Sequence, residues 1–123
     1  MAAKLRFGPA GMPLSLKGKA LPEGLLYCAK HKLLAFEIEW VRGVRLNKQV
    51  AIKAKQIAKQ HDILLSAHAP YWINAASPLE EKQQISFRNL WQSVQAAALI
   101  NASIVVFHAG YYQNLTQEQA LTN

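Results

Sequence analysis

Residues 63–74 read ILLSAHAPYWIN, an apolar run that ends on His68 and passes straight into Pro-Tyr-Trp-Ile-Asn. Residues 103–112, SIVVFHAGYY, repeat the pattern with His108. Short runs that are apolar on nearly every residue suit strands buried on both faces, as in a parallel sheet. Helical patterns on either side of these runs then decide between a parallel α/β sheet and other folds.

Such patterns are present. Asn47 is a suitable N-cap for KQVAIKAKQIAKQH (48–61), which places Val50, Ala54, Ile57, Ala58 and His61 on one face and lysines elsewhere. Ser77-Pro78-Leu79-Glu80 offers an N-cap serine, a proline at the first helical position and a glutamate two residues on. The stripe that follows, Phe87, Leu90, Trp91, Val94, Ala97 and Ala98, keeps helical spacing to Asn101.

Toward the N-terminus, LLAFEIEWV (33–41) alternates, with Leu34, Phe36, Ile38 and Trp40 on one face and Glu37, Glu39 and Val41 on the other. KLRFGPAG (4–11) reads as a short strand ending in Gly and Pro, and PEGLLYCAKHK (22–32) as a helix weakened by Gly24. Thr116 with Gln119 forms a capping box for a further helix, and the sequence ends about two turns later. The expected organisation is (βα)3β with a fourth helix beginning. Units of this size build eight-fold barrels of roughly 250 residues. The expected fold class is therefore α/β: the N-terminal half of a (β/α)8 TIM barrel, four βα units with the last incomplete, as one unit over residues 1–123.

The chain has 123 residues, 51% hydrophobic and 17% charged, a globular composition without low-complexity tracts. No apolar run approaches the roughly 20 residues that span a bilayer, and the N-terminus lacks an apolar leader, so a soluble cytoplasmic protein with no membrane contact is expected. The single cysteine, Cys28, sits among Leu25, Leu26 and Ala29 and is read as a packed thiol. A net charge of +7 favours polyanionic partners, although Lys48, Lys53, Lys55 and Lys59 are equally readable as a solvated helix face.

In α/β barrels functional side chains sit at the C-terminal ends of strands, where His68 and His108 fall. Alternation puts Leu64, Ser66 and His68 on one face, and Ile104, Val106 and His108 likewise. If those faces point inward, two imidazoles on neighbouring strands can share one cation. Two other roles stay open at this point: a buried histidine hydrogen-bonded to backbone, and a general base. Glu37 and Glu39 are read as an internal ion pair with Arg6 rather than as catalytic acids. Trp40, Trp72 and Trp91 are read as packing residues, with Tyr111 and Tyr112 near the barrel mouth.

LRFGPAGMPLS, EIEWVRGVR and, above all, HAPYWINAASPLEEKQQISFRNLWQSVQAAALINASIVVFHAGYY closely resemble the endonuclease IV family of apurinic/apyrimidinic endonucleases. The likeness spans the whole chain and the N-terminal half of the family's domain. Its most specific parts are H-x-x-Y-x-I-N and F-H-x-G. The common proline after the second histidine is Ala109 here, and the first strand lacks the histidine of bacterial members.

The resemblance implies a (β/α)8 barrel with zinc at its mouth that hydrolyses DNA 5′ to abasic sites. It implies that His68 and His108 are metal ligands, and that Tyr71, Asn74, Arg42 and Arg45 lie in DNA-contacting loops. It assigns no catalytic residue to this chain, because the remaining zinc ligands belong to later strands, so activity of this half alone is not expected. Two alternatives accompany it. One is a fragment of a xylose isomerase-like sugar isomerase or epimerase. The other is a non-catalytic half-barrel that associates with itself or with a complementary C-terminal half, since an open sheet exposes edges.

Overall fold

The computed structural model describes residues 4–123. After a 3-10 turn at Leu14–Leu16, helices and strands alternate: α1 Leu21–Lys30, β1 Ala35–Glu39, α2 Lys48–Gln60, β2 Leu64–His68, α3 Glu80–Ile100, β3 Ile104–Val106 and α4 Gln117–Thr122. The strands form one parallel sheet in the order β1-β2-β3. Glu39 pairs with His68 and His68 with Val106, so the strand ends are nearly level at one rim. This is the α/β arrangement of a partial TIM barrel. The first three residues of the expected 1–123 unit lie outside the described residues.

The expected strand at 4–11 is not a regular strand, for a physical reason. Phe7 O accepts from Ala35 N, Pro9 O accepts from Glu37 N, and Gly11 N donates to Glu37 O, which is the start of a parallel ladder beside β1. The next ladder bond would require an N–H at position 9, and proline has none. One isolated bridge, Ala10 to Glu37, is what remains. Gly8 permits the approach, because a Cβ there would lie 1.6 Å from the Ala35 carbonyl oxygen.

On its helical side the sheet presents Phe36, Ile38, Trp40, Leu65 and Ala67, packed against Leu25 and Cys28 of α1, Ala54 and Ile57 of α2 and Ala97 and Ile100 of α3. The alternation read in 33–41 is thus the core pattern. Phe36 is 2% exposed, and full burial of such a ring stabilises by about 1.5–3 kcal/mol. Gly24, which weakens α1 by propensity, is required by packing, since a Cβ would stand 2.8 Å from Met12 Sδ and 3.1 Å from Phe36 Cε2. Burial pushes the Cys28 thiol pKa up.

Two expectations for α3 need correction. The helix begins at Glu80 with Leu79 at its N-cap, and Ser77 instead accepts from Leu79 N at 3.3 Å as a buried turn residue. Its inward face is made of small residues, Ser86, Ser93, Ala96 and Ala97, with Ile100. Most of the expected stripe is outward: Phe87 is 70% and Trp91 54% exposed, so Trp91 is not a packing residue in this chain. The small residues let the helix axis approach its neighbours closely, which large side chains would prevent. α4 starts as expected, with the reciprocal Thr116–Gln119 capping box.

Arg6 was expected to face Glu37 and Glu39; it is bound elsewhere. Its Nη2 lies 2.9 Å from Asp62 Oδ1 and its Nη1 donates to the Asp62 carbonyl, while Lys4 adds a contact at 3.6 Å. Glu37 accepts from Ser66 Oγ at 3.3 Å instead. Asp62 is the residue that turns α2 into β2, with φ +53. Lys32 and Asn101 hold the same left-handed conformation after α1 and α3. The amides of Leu33, Ile63 and Ala102 each donate five residues back, to Cys28, Ala58 and Ala97, at 2.9 Å. One helix-ending motif is therefore used three times, without a glycine at any of the three left-handed positions.

Candidate cation site at the strand ends

His68 closes β2, and its backbone is held on both sides. Trp40 N donates to His68 O at 3.0 Å, and Ala69 N donates to Val106 O at 2.8 Å. Alternation then directs the His68 ring to the sheet face opposite the helices, shared with Ser66 and with Ile104 and Val106 of β3. His108 lies two residues past β3 on that face. The two ring centroids are 5.2 Å apart, tilted by 55°.

The His68 tautomer follows from its hydrogen bond. Nδ1 lies 2.8 Å from Ala69 O, and a carbonyl can only accept, so Nδ1 carries the proton. In the neutral ring this leaves Nε2 with the lone pair that a cation needs. Backbone carbonyls fix metal-binding histidines in this way. Two imidazoles on one tetrahedral cation, with metal–nitrogen distances of about 2.0–2.1 Å, have ring centres roughly 5 Å apart, matching the observed spacing. Among the described residues no group of three or more His, Cys, Asp or Glu side chains could hold a metal ion. The pair supplies two donors, short of the four that zinc takes. Glu39 is the register partner of His68, yet its carboxylate lies by Gly11, 2.7 Å from where a Cβ there would stand.

Around the pair the rim is aromatic and basic. Tyr71 and Trp72 are exposed and meet edge-on at 5.2 Å. A cleft lined by Glu39, Trp40, Val41, His68, Ala69 and Tyr71 opens beside the His68 ring. Arg42 and Arg45 are exposed in the loop after β1, and Arg45 lines a second cleft with Gly11, Met12 and Glu39. Gly43, at φ +102, brings that loop to the Trp72 ring. Tyr111 reaches this rim through its hydroxyl on Tyr71 O, and Tyr112 is exposed in a cleft with Ala75, Ala76 and Ala109.

Asn74 differs from its neighbours. It is 7% exposed, and its Oδ1 accepts from Ala76 N at 3.2 Å and Tyr111 N at 2.9 Å. Tyr111 Oη in turn donates to Tyr71 O at 2.6 Å. Sequence reasoning missed this stitching between the two histidine loops. The available signal was Gly110, placed where a close backbone approach would need it.

The profile of the family described as Xylose isomerase-like TIM barrel matches residues 25–123. The chain belongs to that family. An uncharacterized protein of Methanocaldococcus jannaschii is 36% identical over 116 residues, covering 93% of this chain and 40% of the relative. The chain thus spans well under half the length of that relative. Among solved structures, this xylose isomerase-like chain superimposes on endonuclease IV of Thermus thermophilus with a TM-score of 0.75 at 20% identity, covering 94% of this chain and 43% of the other. A D-psicose 3-epimerase gives the same TM-score at 12% identity, covering 96% and 44%. Likeness at these identities concerns the fold.

Proposed function

We propose that this chain is the N-terminal portion of an endonuclease IV-like enzyme, a zinc-dependent hydrolase that cuts DNA 5′ to abasic sites in the cytoplasm. The observation that carries the reading is the His68–His108 pair, spaced for one cation and with His68 Nε2 free to bind it. His68 and His108 would hold zinc, which when bound polarises a phosphate and acidifies water. Tyr71 would wedge at the lesion, while Arg42 and Arg45 would contact phosphates, consistent with the +7 charge. Asn74 would serve DNA binding through the loop that it holds. With two donors, this chain is not expected to cut DNA without the remaining ligands.

The full barrel, completed by its C-terminal portion, should incise a duplex containing one abasic site. That activity should fall about 100-fold or more in His108→Ala, as loss of a metal ligand demands. Turnover of a ketose without incision would favour the second reading, a sugar isomerase or epimerase, a class whose D-psicose 3-epimerase shares this fold at the same TM-score of 0.75.

A third reading, self-association or pairing with a complementary half, draws on the uncovered sheet face. There Leu64 is 41% and Ile104 52% exposed. A monodisperse monomer by native mass spectrometry would remove self-association, and no complex with the added C-terminal half would remove the pairing.

A further inference from the structure

We infer that Asn74 is a positioning residue for His108, acting through the Tyr111 amide. The inference rests on reading the histidine pair as a cation site. β3 ends at Val106 on the edge of the sheet, so His108 lies beyond the ladder that fixes His68. Segment 107–112 is tied instead to the loop after β2. Ala75 N donates to Ala109 O at 2.9 Å, Tyr111 N to Asn74 Oδ1 at 2.9 Å, and Tyr111 Oη to Tyr71 O at 2.6 Å.

Asn74 is itself anchored in the core. Its backbone N–H donates to Ser86 Oγ at 2.9 Å, and that hydroxyl donates to Lys82 O at 2.8 Å inside α3. Ile73 beside it is 1% exposed. The carboxamide oxygen spends both acceptor positions on backbone amides, Ala76 within its own loop and Tyr111 across the gap. Gly110 makes this approach feasible, since a Cβ there would stand 2.7 Å from Asn74 Oδ1 and 3.2 Å from Ala76 N. A rigid helix thereby sets where the edge histidine stands relative to the central one. Groups hydrogen-bonded directly to a metal-binding histidine change metal affinity by about 10–100-fold, and Asn74, acting at one remove through Tyr111 N, should fall at the lower end of that range.

Cobalt(II) titration of the 123-residue chain, read by its visible d–d band, tests this with Asn74→Ala, Asn74→Asp and Gly110→Ala. Asn74→Ala and Gly110→Ala should each bind cobalt about tenfold or more weakly, with an altered band. Asn74→Asp keeps the acceptor oxygen and should retain the wild-type band. Gly110→Ala leaves Asn74 itself intact, so a shared effect points to the contact rather than to lost folding. Wild-type affinity and band in both Asn74→Ala and Gly110→Ala would overturn the inference. Should the wild-type chain bind no cobalt, the two donors alone do not hold a cation, and hydrogen exchange at the Tyr111 amide decides the positioning role. Slow exchange that becomes fast in Asn74→Ala supports it, and equal rates overturn it.

Discussion

The imidazoles of His68 and His108 meet with ring centroids 5.2 Å apart although their residues sit at different depths of the sheet, one at the end of a central strand and one two residues past an edge strand. Convergence of this kind follows from parallel register plus alternation. Removing either ring should abolish cation binding rather than halve it, because one imidazole is a weak ligand alone. His68→Ala and His108→Ala should each lower zinc affinity about 100-fold or more by competition titration, with unchanged far-ultraviolet circular dichroism.

Phe36 links α1, the sheet and Met12, and is almost fully buried. Phe36→Ala should destabilise the chain by about 3–5 kcal/mol in urea unfolding, the usual cost of deleting a buried ring. A loss under about 1 kcal/mol would mean that this core is not formed.

Asp62 joins the α2–β2 turn to the N-terminal segment. The hydrogen bond from Arg6 holds its carboxyl below the usual range, desolvation opposes this, and the charges of Arg6 and Lys4 add to it. A depressed carboxyl stabilises the fold above the unfolded value of about 3.9 and loses that contribution as pH falls through the folded value. Asp62→Asn should therefore flatten the acid limb of the stability profile below about pH 4, leaving its shape near neutral pH unchanged. Urea midpoints across that range check it.

Lys32 occupies a left-handed position, φ +57, that glycine adopts without steric cost. Lys32→Gly should raise stability by about 0.5–1 kcal/mol, since relief of the left-handed strain outweighs the added chain entropy. The thermal midpoint reports it directly.

Phe87 is 70% exposed on α3. In the isolated chain Phe87→Ser should change stability by no more than about 0.5 kcal/mol, as for other surface positions. A larger loss, together with concentration-dependent unfolding, would show that this face is covered by another chain.

Strand bodies and their buried faces were legible in the sequence because Phe36, Ile38 and Trp40 alternate and because His68 and His108 close apolar runs. The faces of α3 were not. Large residues such as Phe87 and Trp91 dominate any apolar pattern, while the true contact face uses Ser86, Ser93 and Ala97, which look neutral in a sequence. The missing first strand turned on one absent N–H, at Pro9. The partner of Arg6 lies 56 residues away in the turn at Asp62, beyond any local periodicity. Asn74 reads as a surface loop residue until the fold brings Tyr111 to it.

The most direct measurement is X-ray absorption at the zinc edge on the zinc-loaded 123-residue chain, compared with His108→Ala. A cation held by the pair gives two imidazole nitrogens at about 2.0–2.1 Å in the wild type and a loss of that signature in the variant. Zinc bound with the same imidazole signal in both proteins would contradict the shared site.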